Sequence, residues 1–312
     1  MKVRLEGLVQ AAMLVLALAT LLGFAGGISW FFDLFSHFRV QYFLAALALG
    51  AVLFARKSLL FGTTAMIVAV ANLLLLLPLF WGGTGASSSS PTGTAMLYNV
   101  NTQTGSPAAV AELIEEIDPD LLVLEEVDSR WIEEISETTR RYPHQILEPR
   151  ADNFGIGLWS KFPVTDSEVV FLGSAEVPTI LATVATNQGE IQVVGTHPLP
   201  PIGSRNSKMR DEQLALLPET LSDTVPVLLL GDLNTTPWGH SFRALLRESG
   251  LRNSMNGFGV QTTWPTGNWF LRIPLDHVLH SPEIQIDDRR VGSDGGSDHL
   301  PVIIQFSILE DT

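Results

Sequence analysis

The chain has 312 residues, 46% of them hydrophobic, with a mean hydropathy of +0.25, 33 Asp and Glu against 19 Lys and Arg, and no cysteine. The missing cysteine excludes disulfides, thiolate metal sites and a cysteine nucleophile. Charge and apolarity are segregated: residues 1–81 carry Lys2, Arg4, Arg39, Arg56 and Lys57 against Glu6 and Asp33, a net of +3, which leaves −17 of the total −14 for residues 82–312. So acidic a region disfavours a long polyanionic partner, because nucleic-acid affinity comes largely from Lys and Arg contacts to phosphate, and no basic tract or RNA-binding motif offsets it.

Residues 1–81 hold three apolar stretches. Leu8 to Ile28 is uncharged and long enough to span a hydrocarbon core. Val40 to Ala55 is shorter, and Leu59 to Phe80 ends in a leucine run from Leu73 to Leu77 just after Asn72. A buried core helix is the plain alternative for any one of them, and a signal peptide is a second alternative for the first, given Lys2 and Arg4 before it. Three in succession fit a multi-pass membrane anchor better. Lys2 and Arg4 mark one side of the membrane, and Arg56 with Lys57 mark the same side after two crossings. The loop from Ser29 to Arg39 is rich in Trp30, Phe31, Phe32, Phe35 and Phe38, as an interfacial aromatic belt would be. Three crossings predict a cell-membrane protein whose remaining chain is extracytoplasmic; if Val40 to Ala55 does not span, that part is cytoplasmic. Residues 82–94, GGTGASSSSPTGT from Gly82 to Thr94, read as a flexible linker, which sets residues 95–312 apart as one domain.

Ala95 to Val100 predicts a strand with Asn99 near its end. Ser106-Pro107 predicts the start of a helix through Val110, Leu113, Ile114 and Ile117, stopped by Asp118-Pro119. Leu121 to Leu124 is an apolar strand running into Glu125-Glu126, and a second helix is expected from Arg130 to Arg140. Further strands are predicted at 155–160, 168–171, 179–186, 191–195, 225–230, 275–280 and 302–308. Polar residues recur where these strands begin or end: Thr196-His197, Gly231-Asp232-Leu233-Asn234, Asp276-His277 and Ser297-Asp298-His299. Residues at strand ends converge on one edge of a sheet, where a site is readily assembled. Such oxygen-rich ligands suit Mg²⁺, or Mn²⁺ in its place, better than zinc.

In type, order and spacing, Tyr98-Asn99-Val100, Leu124-Glu125-Glu126-Val127, Gly155 to Lys161, Thr196-His197, Gly231 to Asn234, Leu275-Asp276-His277 and Ser297-Asp298-His299 resemble the signatures of the endonuclease/exonuclease/phosphatase superfamily. The resemblance covers about residues 95 to 307. It implies an α+β fold, a four-layer α/β/β/α sandwich of two packed, mostly antiparallel sheets flanked by helices. The three-span anchor is similar to that of a bacterial membrane subgroup, which includes phosphatases linked to glycopeptide resistance and to lipid-carrier pyrophosphates. Two departures stand out: Glu125 replaces the family's usual Gln, and Asn153-Phe154 occupies a region where some nucleases carry a functional Tyr.

The resemblance implies metal ligation by Glu126 with Asn99 and Asp298; a carboxylate ending a buried strand is costly unless paired or metal-bound. It implies that Asp232 orients and deprotonates the attacking water, while Asn234 positions Asp232 or the phosphate. Gly-Asp-x-Asn is also good turn chemistry, which is the plainer reading of that motif alone. His299 is expected to donate to a phosphate oxygen with Asp276 on its other ring nitrogen, and His197 to contact the phosphate or protonate the leaving group. His277 and His280 are expected to be structural, Glu125 to be structural or on the rim, and Arg205 and Arg210 to be helix-surface charges. Trp264 suits a place by the substrate or a packing role equally.

Three functions follow: a metal-dependent phosphatase or phosphodiesterase on a small or lipid-linked envelope phosphate; a nuclease, which the −17 balance disfavours; and a catalytically silent membrane-tethered binding module. The joint presence of Asn99, Glu126, His197, Asp232, Asn234, Asp276, Asp298 and His299 favours an enzyme.

Overall fold

The computed structural model describes residues 5–82 and 91–309, so Lys2, Arg4 and most of the expected linker lie outside the described residues. The chain begins with α1 (Leu5–Leu22), a short α2 (Trp30–Asp33) running into a 3₁₀ turn, α3 (Arg39–Ala55) and α4 (Leu59–Leu76). Two segments, Leu5–Leu22 and Leu59–Phe80, are long and apolar enough to cross a membrane. Val40 to Ala55 does not pass on its own: Trp30–Ser36 and Arg39–Ala55 meet the test only when taken together across a 61° bend, so the third expected crossing is a candidate only if that bent pair is one span. The aromatic segment before Arg39 is therefore helical rather than a plain loop. Met13, Ala46, Leu53, Ala65, Val68 and Ala69 form the small apolar seam of this bundle. Its polar fastening is a buried cluster in which Arg39 donates to the Thr20 carbonyl at 3.1 Å and to Asn72 Oδ1 at 3.3 Å. Asn72 in turn donates to Thr20 Oγ1 at 3.1 Å, the kind of interhelical bond that joins helices where apolar contact gives no preference over lipid.

The rest of the chain folds as β1 (Gly93–Asn99), α5 (Pro107–Ile117), β2 (Leu121–Glu125), α6 (Ser129–Glu134), α7 (Ser136–Thr139), β3 (His144–Glu148), β4 (Ile156–Ser160), β5 (Val164–Phe171), β6 (Pro178–Thr186), β7 (Gly189–Thr196), α8 (Gly203–Leu216), β8 (Val227–Asp232), α9 (His240–Ser249), β9 (Arg252–Asn253), β10 (Asp276–His280), β11 (Ile284–Val291) and β12 (Val302–Ile308). Helix α5 has the predicted signals: Ser106 Oγ accepts from the Ala109 N–H at 3.3 Å, Pro107 occupies the first turn, and Asp118 closes it in a left-handed conformation. Ser106→Ala should lower stability by about 1 kcal/mol, measured by thermal unfolding. The expected helix from Arg130 to Arg140 is instead two short ones, broken at Ile135; the stretch Ile135-Ser136-Glu137-Thr138-Thr139 is dominated by weak helix formers.

The strands form two six-stranded mixed sheets, ordered β11-β12-β1-β2-β4-β3 and β5-β6-β7-β8-β10-β9. Each has a parallel pair at its centre, β1 with β2 and β7 with β8, and antiparallel neighbours outside it. The inner faces interlock through Leu97, Val123, Leu158, Ile180, Val193, Leu230, Val278 and Ile304, all fully buried. The outer face of the first sheet is covered by α5 and α6 through Val110, Ile114 and Trp131, and that of the second by α8 and α9 through Leu214, Phe242 and Leu245. The result is the expected four-layer sandwich, with the apolar helices as candidate spans.

The N-terminal helical segment is fastened to the sandwich at several points. Trp238 Nε1 donates to the Leu75 carbonyl at 3.1 Å, and the Leu79 carbonyl accepts from the N–H groups of Gly257 and Gly259 at 2.9 and 2.7 Å. Asp33, 4% exposed, accepts from the His240 N–H at 2.8 Å and lies 3.6 Å from Arg210 Nη2. His37 Nδ1 is 3.0 Å from Thr236 Oγ1. These contacts use the α1–α3 connection and the C-terminal end of α4; Arg56 and Lys57 follow the opposite end of α3.

Candidate active site

A parallel pair ends both of its strands at the same edge, and the two central pairs of this sandwich share one rim. Asn99 ends β1 opposite Glu125 of β2, and Thr196-His197 follow β7 beside β8, which ends at Asp232. The antiparallel strands β10 and β12 bring their N-terminal ends to the same place: Asp276 pairs directly with Asp232, and His299 lies just before the start of β12. Topology alone therefore gathers the strand-end residues expected from the sequence. Gly231 is needed for close approach, since a Cβ there would meet the Thr196 carbonyl oxygen at 2.1 Å.

Two site residues hold left-handed backbone conformations, Glu126 at φ 61° and Asn234 at φ 50°. Such conformations are costly for non-glycine residues and persist where the surroundings enforce them. Of the two places expected for Glu125, the structural one is seen: it is fully buried, and both its oxygens accept from the Asp232 N–H, at 3.2 and 3.0 Å. Asn99 Nδ2 reaches Glu126 Oε1 at 3.1 Å and Asp232 Oδ2 at 3.2 Å. Asp298 accepts from Asn101 Nδ2 at 2.7 Å and from Trp264 Nε1 at 2.8 Å, one bond to each oxygen.

At the centre, His299 Nδ1 lies 2.9 Å from Asp276 Oδ2, and its Nε2 is 3.6 Å from Asp232 Oδ2. His197 Nε2 is also 3.6 Å from Asp232 Oδ2 and 3.3 Å from Asn234 Nδ2. The Asn234 N–H holds Asp232 Oδ1 at 3.0 Å, and Asn234 Nδ2 also donates to the Pro198 carbonyl at 3.0 Å. His277 bonds the Thr235 carbonyl at 2.8 Å and His280 that of Ser281 at 2.9 Å, away from this group. Arg210 is not a surface charge: it is 1% exposed, and Nη1 donates to the Asn234 carbonyl at 2.9 Å.

Burial opposes a charge on His299, but the carboxylates of Asp276 and Asp232 outweigh it and raise the imidazolium to about 10. Burial alone would raise Asp276, yet the same imidazolium holds it below the usual range. Burial pushes Asp232 up to about 7 against the pull of His299, with Asp276 adding to the rise. Glu125 and Glu126 are likewise raised, by burial first and by neighbouring carboxylates as well. Burial and then the charge on His299 depress His197 to about 3, so it is neutral.

This excess of carboxylates over cations fits a hard divalent ion, which would stabilise the ionised forms. By distance alone, the compact trio among the described residues is Asp232, Asp276 and His299. Asp276 is already engaged by the His299 imidazolium, which would repel a cation. Glu126, Asn99 and Asp298 bring further side-chain oxygens to the same rim.

The group lines one end of a cavity of about 560 Å³, whose walls include Phe154, Pro200, Pro201, Ile202, Trp264, Ile273 and Leu275. The Phe154 ring lies 5.2 Å from that of His197 and Trp264 lies 6.3 Å from His299. A larger depression, about 820 Å³, lies between the anchor and α8–α9, away from these residues.

This sandwich, with acids, amides and histidines on one rim, is the architecture of a phosphoester-hydrolase superfamily. The profile of the Endonuclease/Exonuclease/phosphatase family matches residues 96–299, and the chain belongs to that family. Similar solved structures include an endonuclease/exonuclease/phosphatase from Beutenbergia cavernae DSM 12333, at 20% identity and TM-score 0.57, covering 70% of this chain and 72% of the other. The human Nocturnin catalytic domain with bound sulfate anion matches at 18% identity and TM-score 0.59, covering 70% and 96%. A family protein from Bacteroides thetaiotaomicron matches at 19% and 0.59, covering 72% and 97%. No curated protein matches the chain by sequence.

Proposed function

We propose that the chain is a membrane-anchored, divalent-metal-dependent hydrolase of phosphoric esters or pyrophosphates, acting on an envelope or lipid-linked phosphate. The observation that carries this reading is the convergence of Glu126, Asp232, Asn234, Asp276, Asp298 and His299 on one rim beside a single cavity. Glu126, Asn99 and Asp298 would hold a Mg²⁺ ion, with Mn²⁺ as a substitute, which neutralises charge on the phosphoryl oxygens when bound.

The side chains account for the rest. Asp232, raised to about 7, is matched to accepting a proton from the attacking water near neutral pH. The Asn234 N–H fixes Asp232 Oδ1, which leaves Oδ2 facing both histidines. Asp276 fixes the His299 ring, so Nε2 donates as a cation to a phosphoryl oxygen whose charge grows during in-line attack. His197, being neutral, serves better as a phosphate contact than as the acid for the leaving group.

Location supports the same reading. The sandwich docks at the end of the helices opposite Arg56 and Lys57, which under the positive-inside bias supports a position outside the cytoplasm. Among the described residues, no Lys or Arg lines the cavity, which disfavours a nucleic-acid track.

The test uses the full-length protein in detergent with an isoprenoid pyrophosphate and, separately, duplex plasmid. EDTA should abolish phosphate release from the lipid substrate, Mg²⁺ should restore it, and the plasmid should stay intact. Plasmid nicking without lipid turnover would turn the reading to a nuclease. Inactivity on both would turn it to a binding module.

A further inference from the structure

The walls of the cavity come from two parts of the chain. The catalytic rim supplies its polar lining, and Leu34, His37 and Phe38 of the N-terminal helical segment line it together with Pro200, Pro201 and Ile202. This wall is fixed in place: Asp33 bonds the His240 N–H at 2.8 Å and His37 meets Thr236 at 3.0 Å. A hydrophilic substrate would leave these apolar walls uncovered, whereas a substrate with an apolar tail would bury them.

Exposed apolar side chains point the same way. Ile202, which lines the cavity, is 76% exposed, and the loop between the cavity residues Trp264 and Ile273 exposes Trp269 (80%), Phe270 and Leu271. That loop is pinned to α3, where Gln41 Nε2 donates to the Phe270 and Arg272 carbonyls at 3.0 and 3.2 Å. Gln41 lies in the first turn of α3, at the end away from Arg56 and Lys57, so if α3 alone is the crossing these apolar side chains lie where the chain would enter the membrane. Exposed apolar groups gathered there mark a membrane contact rather than an ordinary wet surface.

We propose that the anchor is one wall of the substrate site, and that the slot lined by Leu34, Phe38, Pro201 and Ile202 holds the hydrocarbon tail of a lipid phosphate, head-first toward His299. The slot rests on the reading of the rim as a phosphate site. The tail is selected by the anchor as well as by the catalytic domain.

The experiment is calorimetric binding of inorganic, ethyl, butyl and octyl phosphate to the full-length protein with Mg²⁺, in maltoside micelles that contain no phosphate. Six added methylenes, partly buried, should tighten octyl over ethyl phosphate by about thirty-fold or more. Ile202→Ser and Phe38→Ser should each cut that ratio to below about ten-fold, and Ile202→Leu should restore it. Micelle partitioning is common to all variants and cancels in the comparison. Ile202 is largely exposed, so its substitution reports even where Phe38→Ser disturbs folding. An unchanged ratio in Ile202→Ser, or a flat series in the wild type, overturns the slot alone. Failure of inorganic phosphate itself to bind overturns the phosphate-site reading together with the slot.

Discussion

Asp232→Asn is expected to lower kcat by about 10³-fold, because the amide keeps the shape of the carboxylate but accepts no proton. The fold should not suffer. Asp232 is 1% exposed and raised to about 7 from 3.8, by burial first. A carboxyl group raised on folding weakens the folded state once the pH exceeds its unfolded value, and the full cost is present above its folded one. In EDTA at pH 8 the variant should therefore melt at the same temperature as the wild type or higher, and any gain should vanish near pH 3, where both states are protonated. Steady-state rates and thermal unfolding test both halves. A wild-type rate in this variant would sink the assignment of Asp232 as the base.

Arg210→Ala should be the most damaging substitution away from the reacting groups. Its guanidinium is 1% exposed and joins three things: the Asn234 carbonyl at 2.9 Å, Asp211 at 2.8 Å and Asp33 of the membrane segment at 3.6 Å. Removing it strands the buried Asp33 carboxylate and frees the Asn234 turn. The expected loss is about 3 kcal/mol, seen as a fall in melting temperature of roughly 10 °C. A drop in kcat should accompany it, because Asn234 fixes Asp232. Arg210→Lys keeps the charge without the fork, so it should recover part of the stability but less of the rate. Wild-type stability in Arg210→Ala would mean that the sandwich does not depend on this junction.

The strands that build the rim were legible because buried strands read as apolar runs, and a polar residue at the end of such a run is conspicuous. The two edge strands of the first sheet were not. His144–Glu148 and Ile284–Val291 mix Gln, Glu, Asp and Arg with apolar residues, so neither carries an apolar run. Helix α8 was implied only through Arg205 and Arg210 as helix-surface charges and given no bounds: of its buried residues, Ser207, Arg210 and Gln213 are polar and Leu214 alone is apolar, so no stripe of helical period appears. Arg210 on a polar helix reads as solvated; its burial depends on Asp33, which lies in the membrane segment far away in sequence. For Glu125 the sequence left a structural place and the rim both open; its burial against the Asp232 N–H depends on a strand of the other sheet, which no local pattern reveals. Asn101, which holds Asp298, gives no signal of its own beyond standing two residues after Asn99.

The clamp of Leu79 on Gly257 and Gly259, together with Trp238 on Leu75, has a geometric consequence. A catalytic head on a slack tether sweeps a volume set by tether length, but one bolted down on both sides of its linker keeps a constant altitude. On the proposed reading, with the helices in a membrane, the mouth would act as a ruler, reaching phosphates that ride at its own height and missing those carried farther out on a long headgroup.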